Sequence, residues 1–552
     1  MPWIVLLALA ALACDPDDPP IPPDATTPPC PQDPGAPVVR ATALEIDLAS
    51  DRVRTTHSMR SEGEGTCCTS LACEPEIDGA RWNDAPVDAA RTATSIEACG
   101  PCTCTEDAAL AIESTLPLHV VPGTDAGFQR ITDAAGRGYT RLAAWLGTCG
   151  SIVPCDATIG VLQDVTIDVH HAPEQVVLCP GARTLVAADR TRCAVTAAPP
   201  YVALAFAASD AWTSRPFVEF DDTRVVFFEP SGGRVAASID PDAVAAFVRW
   251  LVAELGPLPY GDELRVATMP STWLGYEHPA NIVLNDMLAT RADTGYPSPA
   301  LHVLLHEIAH QWAGDRTTPA SMADFAWKES IAEYLVYVFE DEHRPAGEAD
   351  ATRATWHRSA RFSPAYPRPI DDPSPEVIRA VAYGLAPMAT FLQLEPLVGR
   401  EALLRAITAF LREPGARDTA ALIAEIERAS GHDLDGYTSA WIVGAGEPPL
   451  PHLVASVVEL GAGRAELTIT QDGPGDRAFP MQVEVRVTSA GREVIAHVDF
   501  GLAPTSRVAR TTIELEGTPT AVEIDPDDRL ADSPVPWEAR PAAPPRPTPL
   551  EL

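Results

Sequence analysis

At 552 residues the chain is too long for one hydrophobic core, and about three or four domains are expected. A formal net charge of -37 excludes nucleic acid and anionic membrane surfaces as partners, because both are polyanions. The same charge favours cationic ligands, a free peptide amino terminus among them, or serves solubility alone.

The chain opens on "MPWIVLLALAALAC", an apolar run closed by small residues and Cys14, too short to cross a bilayer as a helix. It reads as an export signal. The ending "ALAC" resembles a bacterial lipoprotein box, which would make Cys14 the lipid-bearing first residue after cleavage, although no Lys or Arg precedes the run and Ala11 stands where that pattern prefers Leu. The expected location is the cell envelope or cell surface, anchored by that lipid; a plainly secreted or periplasmic protein is the alternative. Residues 15–37 are dominated by proline and acid, which favours extended polyproline II, and at ~3.1 Å per residue they would reach roughly 70 Å as a tether.

All twelve cysteines lie at or before Cys193. With Cys14 assigned to lipid and Cys30 to the tether, Cys67, Cys68, Cys73, Cys99, Cys102, Cys104, Cys149, Cys155, Cys179 and Cys193 remain, an even set that fits disulfides in an oxidising compartment. Their pairing is open at this level, and a cysteine-bound metal at "CGPCTC" is a rival that lacks an accompanying histidine cluster. Short β-rich pieces such as "ATALEIDLA", "VTIDVHH", "QVVLC" and "YVALAFAA" predict a mostly antiparallel β domain over residues 38–215.

Residues 216–448 change to helices mixed with short strands. "PDAVAAFVRWLVAEL" begins at Pro241 and Asp242 and carries apolar residues at helical spacing up to Gly256. "SMADFAWKESIAEYLVYVFE" and the run from 382 to 430 read the same way. Strands return in "AELTITQ", "MQVEVRVT", "EVIAHVDF" and "TTIELEG", predicting a β-sandwich over 449–535 before a disordered tail, 536–552.

The chemistry concentrates in "HVLLHEIAHQWAGD", residues 302–315. On a helix, residues four apart leave the same face, so His306 and His310 can grip one metal ion with Glu307 beside it. A catalytic zinc needs a third protein ligand and an open position for water. Glu329 lies on the next predicted helix, which would bring its carboxylate to the imidazoles. Zinc would then polarise the scissile carbonyl and activate water, with Glu307 as the base that moves the proton to the leaving amine. Glu333 and Asp324 are candidates to hydrogen-bond the ligand imidazoles. His302 shares the ligand face one turn earlier and reads as a packed histidine. Lys328, the one lysine in the chain, immediately precedes a ligand.

"HEIAHQW" followed by Glu329 in "KESIAEY" resembles the signature of the gluzincin aminopeptidases of the aminopeptidase N and leukotriene hydrolase type. "LGYEHPANIVL", residues 274–284, stands where that family carries its G-x-M-E-N motif, so the resemblance makes Glu277 the carboxylate that binds the substrate's amino group. "AVAYGLAPMATFL", residues 380–392, stands where the family has its catalytic tyrosine, making Tyr383 the oxyanion-stabilising phenol. Together with "GPLPYGDELRVATMP" and "AVEIDPDDRL", the likeness covers roughly residues 130–530. It implies a multidomain α+β fold: an antiparallel, saddle-like β domain, a thermolysin-like α/β catalytic domain and a C-terminal β-sandwich. It also implies one zinc ion, peptide substrates with a free amino terminus, and membrane contact through the lipid alone.

The sequence departs from the family pattern at Leu274, Tyr276 and His278 around Glu277, at Ser330 after the third ligand, and from Gly384 to Ala386 after the tyrosine. None of these removes a ligand or the base. A zinc endopeptidase and a tethered peptide-binding protein with a vestigial site are the competing functions. A serine-hydrolase elbow and a P-loop find no matching motif.

Overall fold

The computed structural model describes residues 30–121, 124–292, 294–362, 366, 387–444, 447–474, 476–534 and 536. The export signal with Cys14, most of the tether, the family's tyrosine position Tyr383 and the tail lie outside the described residues.

The amino-terminal half is built on an eight-stranded sheet in which Val38–Asp47 and Gln163–His170 lie side by side at the centre. That central pair is parallel, and the other strands of the sheet run antiparallel to their neighbours. Alternation along Val38–Asp47 buries Leu44 and Ile46 on one face, as a half-buried strand requires. A four-stranded and a three-stranded sheet complete this half. The stretch "YVALAFAA" does not form one strand. Pro199 and Pro200 start a helical turn, Pro200–Ala203, and only Ala205–Ser209 is extended.

The cysteine expectation needs correction. Five disulfides pair Cys30–Cys104, Cys67–Cys102, Cys68–Cys99, Cys149–Cys155 and Cys179–Cys193. Cys30, assigned to the tether, is cross-linked to the β domain, while Cys73 is a free, buried thiol. The reason is spatial: Glu64 N donates to Pro31 O at 2.8 Å, so the chain at Cys30 runs alongside the strand pair 65–72 and 95–102. With Cys99, Cys102 and Cys104 all in disulfides, "CGPCTC" offers no thiolate to a metal.

The second half begins with a five-stranded sheet in the order Trp212–Phe220, Thr223–Pro230, Glu263–Met269, Asn281–Asn285, Gly275–His278. Thr223–Pro230, Glu263–Met269 and Asn281–Asn285 are parallel, and Gly275–His278 is an antiparallel edge. The helix Pro241–Leu255 makes the first crossover. Its amino end is closed by Asp240, whose side chain accepts from the amides of Asp242 and Ala243, and it stops at Gly256 with φ +94°. Helix Pro299–Ala309 packs on this sheet, Ala326–His343 packs against Pro299–Ala309, and Glu348–Phe362, Pro387–Val398, Arg400–Arg412 and Thr419–Ser430 follow.

Two three-stranded sheets form the carboxy-terminal sandwich, His452–Gly461 with Arg464–Asp472 and Val508–Glu514, and Arg492–Asp499 with Gln482–Ser489 and Pro519–Ile524. One continuous apolar core runs from Phe247 through Ile308, Tyr334 and Trp441 to Val485, fastening the sandwich to the helices. Trp441 Nε1 also donates to Pro480 O at 2.9 Å across that seam. Among the described residues, no helix is long and apolar enough to cross a membrane.

Candidate metal centre

His306 and His310 lie in the last turn and at the carboxy-terminal cap of the helix Pro299–Ala309, with their Nε2 atoms 2.9 Å apart. Glu329, in the first turn of Ala326–His343, places Oε2 3.4 Å from Nε2 of His306 and 3.5 Å from Nε2 of His310. Ligand atoms bound tetrahedrally to zinc at ~2.0–2.1 Å stand about 3.3 Å apart, so this triangle has the size that such an ion needs.

The other ring nitrogens support the same reading. Nδ1 of His306 faces Glu333 Oε2 at 2.7 Å, and Nδ1 of His310 faces the carbonyl of Ala313 at 2.8 Å. Both partners only accept, which puts the proton on Nδ1 and leaves the Nε2 lone pairs for a metal. Around the two imidazoles stand the buried carboxylates of Glu277, Glu307, Glu329 and Glu333, with Lys328 among them. A divalent cation would offset that excess of negative charge, so the residues fit the metal that the motif implies.

Glu307 is 5% exposed, and burial pushes its carboxyl up to about 8, with Glu277 and Glu329 adding to the rise against His306 and Lys328. A cation held by the adjacent histidines would pull it back down. Burial opposes ionisation of Glu329 too, yet Lys328 and His310 hold it well below the usual carboxylate range.

Behind the histidines lies a polar network. Glu333 Oε1 meets His302 Nε2 at 2.9 Å, Tyr296 Oη at 3.3 Å and the indole N–H of Trp356. His302 Nδ1 meets Glu340 Oε1 at 2.8 Å, and Glu340 accepts from Thr352. His302 is therefore a packed histidine 3% exposed, engaged on both nitrogens. Asp324 differs from expectation. Its carboxylate accepts from Ser321 Oγ and from the amide and hydroxyl of Thr419. The acceptor at His310 is the Ala313 carbonyl, because the chain turns sharply after the helix and carries its own backbone oxygen back to the ring.

Glu277 reaches the site from the edge strand Gly275–His278. Side chains alternate along a strand, so Gly275 and Glu277 share the face that looks at the motif helix. A Cβ at Gly275 would lie 2.7 Å from Glu307 Oε1 and Val303 Cγ1, and glycine is what permits this close approach. Tyr276 and His278 point the other way. Arg141 Nη1 donates to Tyr276 Oη at 3.2 Å while pairing with buried Asp125 at 2.7 Å, and His278 Nδ1 lies 2.9 Å from Val202 O. The residues that replace the family's Met and Asn thus anchor the strand to the β domain. Gln311 ties the strand to the motif helix, accepting from Ala280 N at 2.7 Å and donating to His278 O at 3.1 Å. Sequence reasoning missed Gln311, Arg141 and Trp356; only Gln311 carried a signal, its place beside the second histidine.

Two other groups of potential ligands exist among the described residues. Cys68, Glu97 and Cys99 include a disulfide, and Glu427, Asp433 and Asp435 lie mostly at the surface without a histidine.

Residues 281–441 match the Peptidase family M1 domain. The Tricorn protease-interacting factor F2 of Thermoplasma volcanium is 28% identical over 205 residues, 34% of this chain and 25% of that protein. Among solved structures, Legionella pneumophila aminopeptidase A in complex with aspartic acid superposes with a TM-score of 0.72 at 13% identity, over 90% of this chain and 59% of that one. An M1 zinc metallopeptidase from Deinococcus radiodurans, a point mutant bound to a Tyr-Ser-Ala substrate, gives 0.60 at 19% identity over 75% and 96%. The chain thus spans a quarter of the length of the curated relative and under two thirds of the first of these structures. At these identities the structures bear on fold, and they share its multidomain α+β arrangement with an amino-terminal β domain. The segment that carries His306, His310 and Glu329 is thus the part of this chain that is similar to the M1 peptidases.

Proposed function

We propose that this protein is a zinc-dependent aminopeptidase that removes amino-terminal residues from peptides. The observation that carries the reading is the convergence of His306 Nε2, His310 Nε2 and Glu329 Oε2 within 3.5 Å of one another, with Glu307 and Glu277 buried beside them. One zinc ion held by the three ligands would supply Lewis-acid polarisation of the scissile carbonyl and a water of pKa about 7.

The remaining roles belong to side chains. Glu307 takes the proton of the attacking water and passes it to the leaving amine. Glu277 accepts from the substrate's amino group and sets the distance from chain end to scissile bond. Glu333 and the Ala313 carbonyl orient the two ligand imidazoles. Tyr383, outside the described residues, is assigned the oxyanion by its place in the sequence pattern alone.

We also propose that the protein is exported and tethered through a lipid on Cys14, with contact to the membrane there only. Five disulfides in the β domain support an oxidising compartment.

The test is turnover of peptides with free or acetylated amino termini by the zinc-loaded protein, beside Glu307→Gln. Cleavage of only the free-ended peptides, lost in the variant, is expected. Cleavage of acetylated peptides would make the protein an endopeptidase, and zinc loading without turnover of either would favour a peptide-binding role.

A further inference from the structure

The chain contains one lysine, and it is buried in the middle of the site. Nζ of Lys328 stands 2.9 Å from Glu277 Oε1 and 3.0 Å from Glu329 Oε1. One ammonium therefore bridges the carboxylate assigned to the substrate's amine and the free oxygen of a metal ligand. Its side chain is 2% exposed, so the charge is not shared with solvent.

The surroundings are shaped for this side chain. Gly314 has φ +134°, and a Cβ there would lie 2.4 Å from Lys328 Cε, so the lysine stem occupies the space that another residue's side chain would need. The ammonium also stands 5.2 Å from the centre of the Phe325 ring. Tyr201, whose hydroxyl engages Gly314 O and Thr318 Oγ1, closes the region behind Gly314.

An arriving α-ammonium would meet a Glu277 that already carries a counterion. With its nitrogen near the other carboxylate oxygen, it would lie about 4 to 5 Å from Lys328 Nζ, where two unit charges at an effective dielectric of about 20 repel strongly enough to cost several hundredfold in binding. We propose that Lys328 is a specificity-determining residue that competes with the substrate's α-ammonium for Glu277, so that the site binds free amino termini weakly and draws peptide affinity from residues beyond the first. This rests on the assignment of Glu277 as the amine anchor.

The experiment is calorimetric binding of an uncleaved tripeptide, with a free or an acetylated amino terminus, to the zinc-loaded full chain carrying Glu307→Gln. It is repeated with Lys328→Met added, and zinc content is measured in each protein. The expected result is binding of the free tripeptide to the Lys328→Met protein that is tighter by about 100-fold or more, with the acetylated tripeptide unchanged. Lys328→Gln, which keeps a donor for both carboxylates, takes its place if Lys328→Met does not fold, with the same direction expected. A preference for the free peptide that does not grow in either variant overturns this proposal alone. Loss of zinc with weakening of both peptides would reduce Lys328 to a support for Glu329 and also overturn it. Equal binding of the two peptides to every protein would remove the amine-anchor assignment and this proposal together.

Discussion

Glu333 accepts a hydrogen bond from Nδ1 of His306 at 2.7 Å, which fixes the ring so that Nε2 looks at His310 and Glu329. An acceptor behind a ligand imidazole sets its tautomer and raises its basicity, and its loss costs about 10- to 100-fold in metal affinity. Glu333→Gln should therefore weaken zinc binding by that factor in competition with a chromophoric chelator. Unchanged affinity would show that the ring is held by packing alone.

His302 sits between Glu333 and Glu340, and although burial pulls its pKa down, the two carboxylates raise it from 6.5 to about 9. The folded value lies above the unfolded one, so the stability this imidazolium contributes is complete below pH 6.5 and is lost as pH rises through about 9. At 1.36 kcal/mol per pH unit the loss is about 3 kcal/mol. Denaturant unfolding should show the native protein losing more stability than His302→Gln between those pH values. A difference between the two that does not vary with pH would mean that His302 is neutral in the fold.

The disulfide Cys30–Cys104 spans a sequence separation of 74 residues. Closing a loop of that length removes chain entropy worth about 4 kcal/mol from the unfolded state. The double substitution Cys30→Ser and Cys104→Ser should lower the unfolding temperature. Cys73 is 0% exposed and burial pushes its thiol up to about 11, so it should resist alkylation in the native protein and react after unfolding without reductant. Mass-spectrometric labelling of Cys30 or Cys104 under those conditions would contradict the pairing.

Gly314→Ala would meet both a left-handed backbone, φ +134°, and a contact of 2.4 Å to Lys328 Cε. The expected cost is about 1–3 kcal/mol of stability. Gly347→Ala, at φ +99° with no atom within 4 Å, shares the backbone strain without the collision and should cost less. Equal losses in thermal unfolding would mean that the lysine stem yields freely.

The candidate metal centre was legible because it is mostly local. Two histidines four apart on a helix must share a face, and Glu329 stands in the first turn of the next α-helix. Glu333 follows for the same reason, one turn beyond Glu329. Asp324 instead accepts from Ser321 and Thr419, and the acceptor at His310 is the Ala313 carbonyl, which depends on how the chain turns after the helix, where periodicity carries no information. In the β regions, alternation marked most strands, while His452–Gly461 and Pro519–Ile524 escaped it because much of each is exposed and the buried-in, polar-out contrast is weak.

By itself the sequence determined the two-histidine motif with its third acid, the β, mixed and β succession along the chain, and the confinement of cysteine to the first half. These are properties of composition and of residues within a few helical turns of one another. Tertiary structure decided which groups serve as partners. Asp125 accepts from the amide of Trp273 across 148 positions, Cys30 finds Cys104 across 74, and Lys328 lands on Glu277 from a helix that follows the intervening motif. Such pairings depend on how elements pack in three dimensions, because a buried charge takes whichever opposite charge the fold brings within about 3 Å, and that choice has no local spacing to reveal it.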